Sequence, residues 1–145
     1  MRKFLTVSSF LFCLYLLFFS VTVYGQTTTG IREFVLFGGQ QSVQMSTSTS
    51  VSAGAVGSYK LVKSTGNSVF GGNIHSGGRI ELANSNTVNG NITAANSDAL
   101  PGTILQVGSN AVLNGKIDVN GNIVIGGGTV VGPVTYSSGF SYSGP

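Results

Sequence analysis

A short phrase of glycine, one variable residue and a β-branched apolar residue recurs along this chain. It appears at Gly54-Ala55-Val56, Gly72-Asn73-Ile74, Gly90-Asn91-Ile92, Gly115-Lys116-Ile117 and Gly132-Pro133-Val134. The first three keep a constant step of eighteen, and the last two a step of seventeen. The longer step from Gly90 to Gly115 is one period plus an excess of seven. That excess falls at Ala95 to Pro101, where Asp98 and Pro101 break the pattern. Self-similarity at a fixed period marks a repeat architecture, in which each unit buries its apolar face only against its neighbours.

The spacing also divides. Half-step echoes at Gly78-Arg79-Ile80 and Gly121-Asn122-Ile123 follow a main phrase by six positions, so an 18-residue coil splits into three short faces. Side chains alternate along a strand. Ile80 and Leu82 then face inward around Glu81, Ile117 and Val119 around Asp118, and Ile123 and Ile125 around Val124. Glycine before a strand serves a tight corner, through positive φ or through a missing Cβ. No segment after Gln26 carries apolar residues at helical spacing over three turns. The expected fold is all-β: a short parallel β-solenoid, right-handed, of about 18-residue three-faced coils. Either parity fits Ile104-Leu105-Gln106-Val107, so that coil stays unassigned.

Composition agrees with a thin, regular β structure. Charged residues are 8% of the chain and glycines number 22, yet hydrophobic residues reach 41%, too many for a disordered chain. The N-terminus reads differently. Arg2 and Lys3 precede Phe4 to Val23, an uncharged run dominated by Phe, Leu and Val, and Val23-Tyr24-Gly25 offers a cut ahead of Gln26. A positive start, an apolar core and a small residue at the exit describe a secretory signal peptide. An uncleaved anchor is the alternative for a run this long, and the small exit residue favours cleavage. Cys13, the only cysteine, lies within the run, so the mature chain is expected to hold no disulfide or thiolate site.

Four segments follow: a signal peptide over 1–25, an opening or cap strand and Ser/Thr-rich stretch over 26–53, the solenoid over 54–135, and a Ser/Gly/Tyr-rich tail over 136–145. Within the second, Glu33-Phe34-Val35-Leu36-Phe37 reads as an apolar opening strand and Met45 to Ser52 as a run with little packing content. An open solenoid end presents unpaired backbone groups and invites pairing.

Val69-Phe70-Gly71-Gly72-Asn73-Ile74 and Thr87-Val88-Asn89-Gly90-Asn91-Ile92-Thr93-Ala94 resemble the repeats of bactofilins, polymer-forming bacterial cytoskeletal proteins. The likeness covers about Val69 to Thr135. It implies a right-handed three-faced β-helix that assembles end to end, here in an exported relative. The whole chain also looks like the N-terminal part of large secreted surface proteins of Bacteroidota, in which the sequence would continue past Ser143-Gly144-Pro145. Neither resemblance carries over functional residues.

Candidate chemistry is sparse. His75 follows inward Ile74 and is expected outside the coil and solvated, with no partner carboxylate to orient it. Glu33, Glu81, Asp98 and Asp118 are scattered, whereas polysaccharide-cleaving β-helices need clustered carboxylates, a base or bound calcium. Gly126-Gly127-Gly128 lacks the following helix and lysine of a phosphate loop and reads as a corner. Asn91-Ile92-Thr93 is a formal glycosylation sequon. Ice binding would want a Thr-x-Thr rank on every coil, and Thr87, Thr93, Thr103, Thr129 and Thr135 do not supply one. Without Arg2 and Lys3, the bases Arg32, Lys60, Lys63, Arg79 and Lys116 meet four acids, five minus four giving +1. That balance excludes the basic stripe nucleic acid requires.

No catalytic, cofactor-binding or metal-binding residue is therefore assigned, and no cofactor. The expectation is a non-enzymatic, exported structural or adhesive module, extracellular or at the cell surface with the periplasm or outer membrane surface as further places, with self-association through solenoid ends, contact with a surface glycan or the envelope, and no membrane span after signal cleavage. A carbohydrate-binding module or degenerate polysaccharide lyase is the alternative, with Tyr59, Phe70, Tyr136, Phe140 and Tyr142 as available groove aromatics. Ice binding ranks below it.

Overall fold

The structure is a computed structural model that describes residues 33–145. The signal-peptide expectation over 1–25, Cys13 included, lies outside the described residues. Among these residues seventeen short strands, numbered in order, wind into about six coils. All strand pairs are parallel and form three sheets. The first sheet stacks β1 (Phe34–Phe37), β4 (Ala55–Ser58), β7 (Ile74–Ser76), β10 (Ile92–Ala94), β13 (Ile117–Val119) and β16 (Val134–Tyr136). The second stacks β2 (Ser42–Met45), β5 (Leu61–Ser64), β8 (Arg79–Leu82), β11 (Thr103–Val107), β14 (Asn122–Ile125) and β17 (Tyr142–Ser143). The third stacks β3 (Ser50–Val51), β6 (Val69–Phe70), β9 (Thr87–Val88), β12 (Val112–Leu113) and β15 (Val130–Val131). The solenoid read from the repeat is the observed fold.

Register places like residues over like. Ile74 pairs with Ile92 and Ile92 with Ile117 in the first sheet. Val62, Ile80, Leu105 and Ile123 form the second column, and Phe70, Val88 and Leu113 the third. All ten of these side chains are essentially fully buried. Each is worth about 1.5–3 kcal/mol once a neighbouring coil covers it. The excess of seven sits where the repeat locates it. Ile92 pairs with Ile74 one period back, whereas Leu105 pairs with Ile80 a period and seven positions back. The insertion therefore falls between β10 and β11. There the Asn96 side chain closes a local turn, accepting from the Leu100 N–H at 2.8 Å.

A bulge settles the unassigned coil. Register shifts between Thr103 and Leu105, so Leu105 and Val107 face the core, Gln106 faces out, and the extra residue Ile104 is buried as well. Room for Ile104 exists because Gly121 has no Cβ; one built there would collide with the Ile104 side chain.

The corners divide the two roles expected of glycine. At Gly72 and Gly90 the φ angle is ordinary, and a Cβ would strike the backbone of the corner glycine one coil earlier. These glycines set how closely the coils approach. Left-handed backbone is found at Gly54 of the glycine phrase, with φ of 77°, and recurs at the corner between the second and third sheets, at Asn67, Ser85, Asn110 and Gly128, with φ of 50°, 58°, 57° and 71°. That corner encloses a buried polar column. The Asn86 Oδ1 accepts from the Ser64 hydroxyl at 2.8 Å and the Ser68 N–H at 3.0 Å, while its Nδ2 donates to the Ala83 carbonyl at 2.7 Å. Because each polar group finds a partner, the column costs little to bury.

The ladder is wider than the 54–135 span the repeat marks. Val43 and Met45 are buried against Val62 and Ser64, so the Ser/Thr-rich stretch does contribute packing at Met45. In the tail, Tyr142 pairs with Ile123 and packs on the core. These end coils hide in the sequence because Ser42 and Leu61, like Ile123 and Tyr142, pair one position beyond the regular period, and neither Ser42 nor Tyr142 stands in a Gly-x-Ile phrase.

Phe70→Ala should lower unfolding free energy by about 3–5 kcal/mol in urea titration, as a large truncation in a fully buried column. Gly90→Ala should cost about 1–3 kcal/mol by forcing two coils apart. Gly127→Ala, where a Cβ meets nothing within 4 Å, should leave the urea midpoint nearly unchanged.

Candidate functional site

The outward column of the first sheet runs Phe37, Gly57, His75, Thr93 and Asp118. A bare glycine in the midst of a strand leaves a gap on the sheet face. The Phe34 ring fills it: a Cβ at Gly57 would collide with that ring. Phe34 reaches this place because β1 carries a bulge between Phe34 and Leu36. Its ring lies 5.0 Å from Phe37 and meets His75 edge-on at 5.6 Å, and Phe37 meets Tyr59 edge-on at 5.3 Å. These are favourable aromatic geometries, each worth about 0.5–1.5 kcal/mol beyond burial.

The four rings border an open cleft of about 360 Å³, which Thr93 and Ser97 also line. Ser97 belongs to the inserted loop, which is held down by its N–H bond to the Gly77 carbonyl at 2.7 Å. Two irregularities of the repeat, the opening coil and the insertion, thus converge on one spot. None of the residues lining the cleft is an Asp, Glu, Lys or Arg. Burial pushes the His75 pKa below 6.5, against a smaller opposing pull from Glu33. The imidazole is accordingly neutral at pH 7, offering one donor and one acceptor nitrogen.

His75 is half-buried among aromatic rings, not free in solvent as alternation alone implies, because the Gly57 gap lets Phe34 fold over toward it. Phe70 is fully buried in the third-sheet column and cannot line a groove. Tyr59 is 56% exposed and does border the cleft. Tyr136 and Tyr142 stack on each other at the opposite end, with centroids 6.3 Å apart, and Phe140 is exposed. Phe34 and Phe37 are the lining residues that an opening-strand reading passes over. Their only signal is a pair of aromatics on a strand facing a coil with glycine at position 57.

The acids are dispersed. Glu81 pairs with Lys63 at 2.9 Å, Asp98 with Lys60 at 3.0 Å, and Asp118 with Lys116 at 3.3 Å. Such surface pairs contribute little individually. Among the described residues no group of three or more His, Cys, Asp or Glu could hold a metal ion, and no helix is long and apolar enough to cross a membrane. Gly126 to Gly128 forms the corner between β14 and β15. The Asn91 side chain of the sequon accepts from the Lys116 N–H at 2.9 Å and so ties two coils together. The threonines form no rank: Thr93 and Thr135 flank Asp118, Thr87 lies in the third sheet, Thr103 in the second, and Thr129 is buried.

Protonating His75 in its buried setting is unfavourable, so its contribution to stability is complete above pH 6.5 and is lost as pH falls below that value. NMR titration should place its midpoint below 6.5, and His75→Gln should flatten the fall in unfolding free energy between pH 7 and 5. The chain matches no family model, no curated protein and no solved structure.

Proposed function

We propose that this chain is a structural and adhesive module of an exported, cell-surface protein, acting as a scaffold and not as an enzyme. The observation that carries the reading is the ladder, which runs from Phe34 to Ser143 in parallel pairing, interrupted only by the bulges in β1 and β11. Such a body is stiff along its axis, because the first five coils are bonded to one another on three faces and the sixth to the fifth on two. Export is supported by Arg2, Lys3 and the apolar run to Val23.

The module stacks through its ends. Among the described residues, edge strands β15, β16 and β17 close the three sheets at one end, and β1, β2 and β3 at the other. Inward columns continue to the first of these edges as Val131, Val134 and Tyr142, which are only partly buried. A further coil laid on this edge would continue both the hydrogen-bond ladders and the columns. With a charge of +1 outside the first three residues, copies repel one another weakly.

Sedimentation velocity over a concentration series, with negative-stain microscopy, tests the stacking. Rods in multiples of about 29 Å are expected, six coils at about 4.8 Å each. Val134→Lys, an inward-pointing charge on the edge, should hold the protein as a monomer. A wild-type chain that stays strictly monomeric at high concentration would remove end-stacking from the account.

A further inference from the structure

We infer that the cleft bordered by Phe34, Phe37, Tyr59 and His75 binds a neutral saccharide, with the apolar face of a pyranose ring laid against the aromatic side chains. The inference rests on the adhesive reading and names what is adhered to. Four features of the cleft select this chemistry. Its aromatic rings stand on the outer face of the solenoid, away from the core columns, and Tyr59 is more than half exposed. Its polar groups include the Tyr59, Thr93 and Ser97 hydroxyls and a neutral imidazole, which match the mixed donors and acceptors of sugar hydroxyls. Its lining residues carry no carboxylate, ammonium or guanidinium, so none of them offers a charged ligand a direct ion pair, and Glu33 acts on it only through its smaller pull on His75. Its volume, about 360 Å³, falls at the lower end of the range for small-ligand sites.

The other occupants fit less well. The backbones of β4 and β7 are paired on both sides, so a peptide cannot add itself as a strand there. A lipid chain would leave the Thr93 and Ser97 hydroxyls without partners. The cleft is open and shallow enough that affinity comes chiefly from ring stacking and a few hydrogen bonds.

The purified chain is titrated with neutral hexasaccharides built from glucose, mannose or galactose, and followed by saturation-transfer NMR and tyrosine fluorescence. Saturable binding of at least one of them is expected. Tyr59→Ala and Phe37→Ala should each weaken it about tenfold, a loss of about 1.4 kcal/mol. Thr93→Val, which keeps the shape and removes the hydroxyl, should weaken it several-fold. Tyr136→Ala, at the opposite end, should leave it unchanged.

No saturation by any of the sugars would overturn the proposal, as would binding that survives Tyr59→Ala and Phe37→Ala in variants with native circular dichroism. Binding that appears only after proteolytic removal of the residues before Glu33 would assign the cleft to the chain's own N-terminal segment, and would equally overturn it. Sedimentation of Tyr59→Ala should match the wild type, so a failure here is distinguishable from a failure of end-stacking.

Discussion

Adjacent coils of this protein are held about 4.8 Å apart by backbone hydrogen bonds, and that spacing governs everything else in the molecule. At this distance an inward side chain has one neighbour above and one below, each at the equivalent position of the next coil. A residue that is too small leaves a void, and one that is too large pushes two coils apart. Stacks such as Ile74, Ile92 and Ile117 follow directly. So do the corner glycines, where a Cβ at Gly90 has no room beneath the backbone of Gly72. The buried Asn86 obeys the same constraint in polar form, bonding to Ser64 and Ser68 one coil before it.

The candidate cleft lies where this regularity is interrupted. A regular coil presents a flat, neutral, narrow face that distinguishes one ligand from another poorly. The cleft arises because three departures meet: the bulge in β1, the glycine at 57 and the insertion after β10. Each departure is harmless to the core, since Val56, Ile74 and Ile92 remain in column beneath it. The scaffold thus tolerates a site on its outer face without altering its inner one. The opposite end shows a different solution. There Tyr136 and Tyr142 stack across the last coil and the Tyr142 hydroxyl donates to the Pro145 carbonyl at 2.7 Å, covering part of an apolar cross-section with groups that also suit water.

Much of the fold is legible in the sequence, because a column of like residues leaves a periodic trace. Gly72-Asn73-Ile74 and Gly90-Asn91-Ile92 fix the coil length, and alternation around Glu81 and Asp118 fixes which residues point inward. The insertion over 95–101 can be read as well, since an excess of seven must leave the ladder somewhere. The end coils are hidden by an offset one position longer than the period, and the bulge at Ile104 by two adjacent apolar residues of which strand parity admits only one. The site is harder to see. Phe34 and Phe37 look like core residues of an opening strand, and only the emptiness at Gly57 turns them onto the outer face. Phe70 errs the other way, an apparent groove aromatic that fills the centre of the third sheet.

The stacked parallel register, including its jump across the insertion, is the claim on which the rest stands. Scalar couplings transmitted through backbone hydrogen bonds, measured by NMR on isotopically labelled protein, test it directly. Before the insertion, a coupling is expected from the Thr87 N–H to the Ser68 carbonyl, across a 2.9 Å bond. Across the insertion, another is expected from the Asn114 N–H to the Val88 carbonyl, also at 2.9 Å. The second reaches seven positions further back along the chain than the first. Couplings that keep one constant offset along the whole chain, or that join antiparallel neighbours a few positions apart, would contradict it.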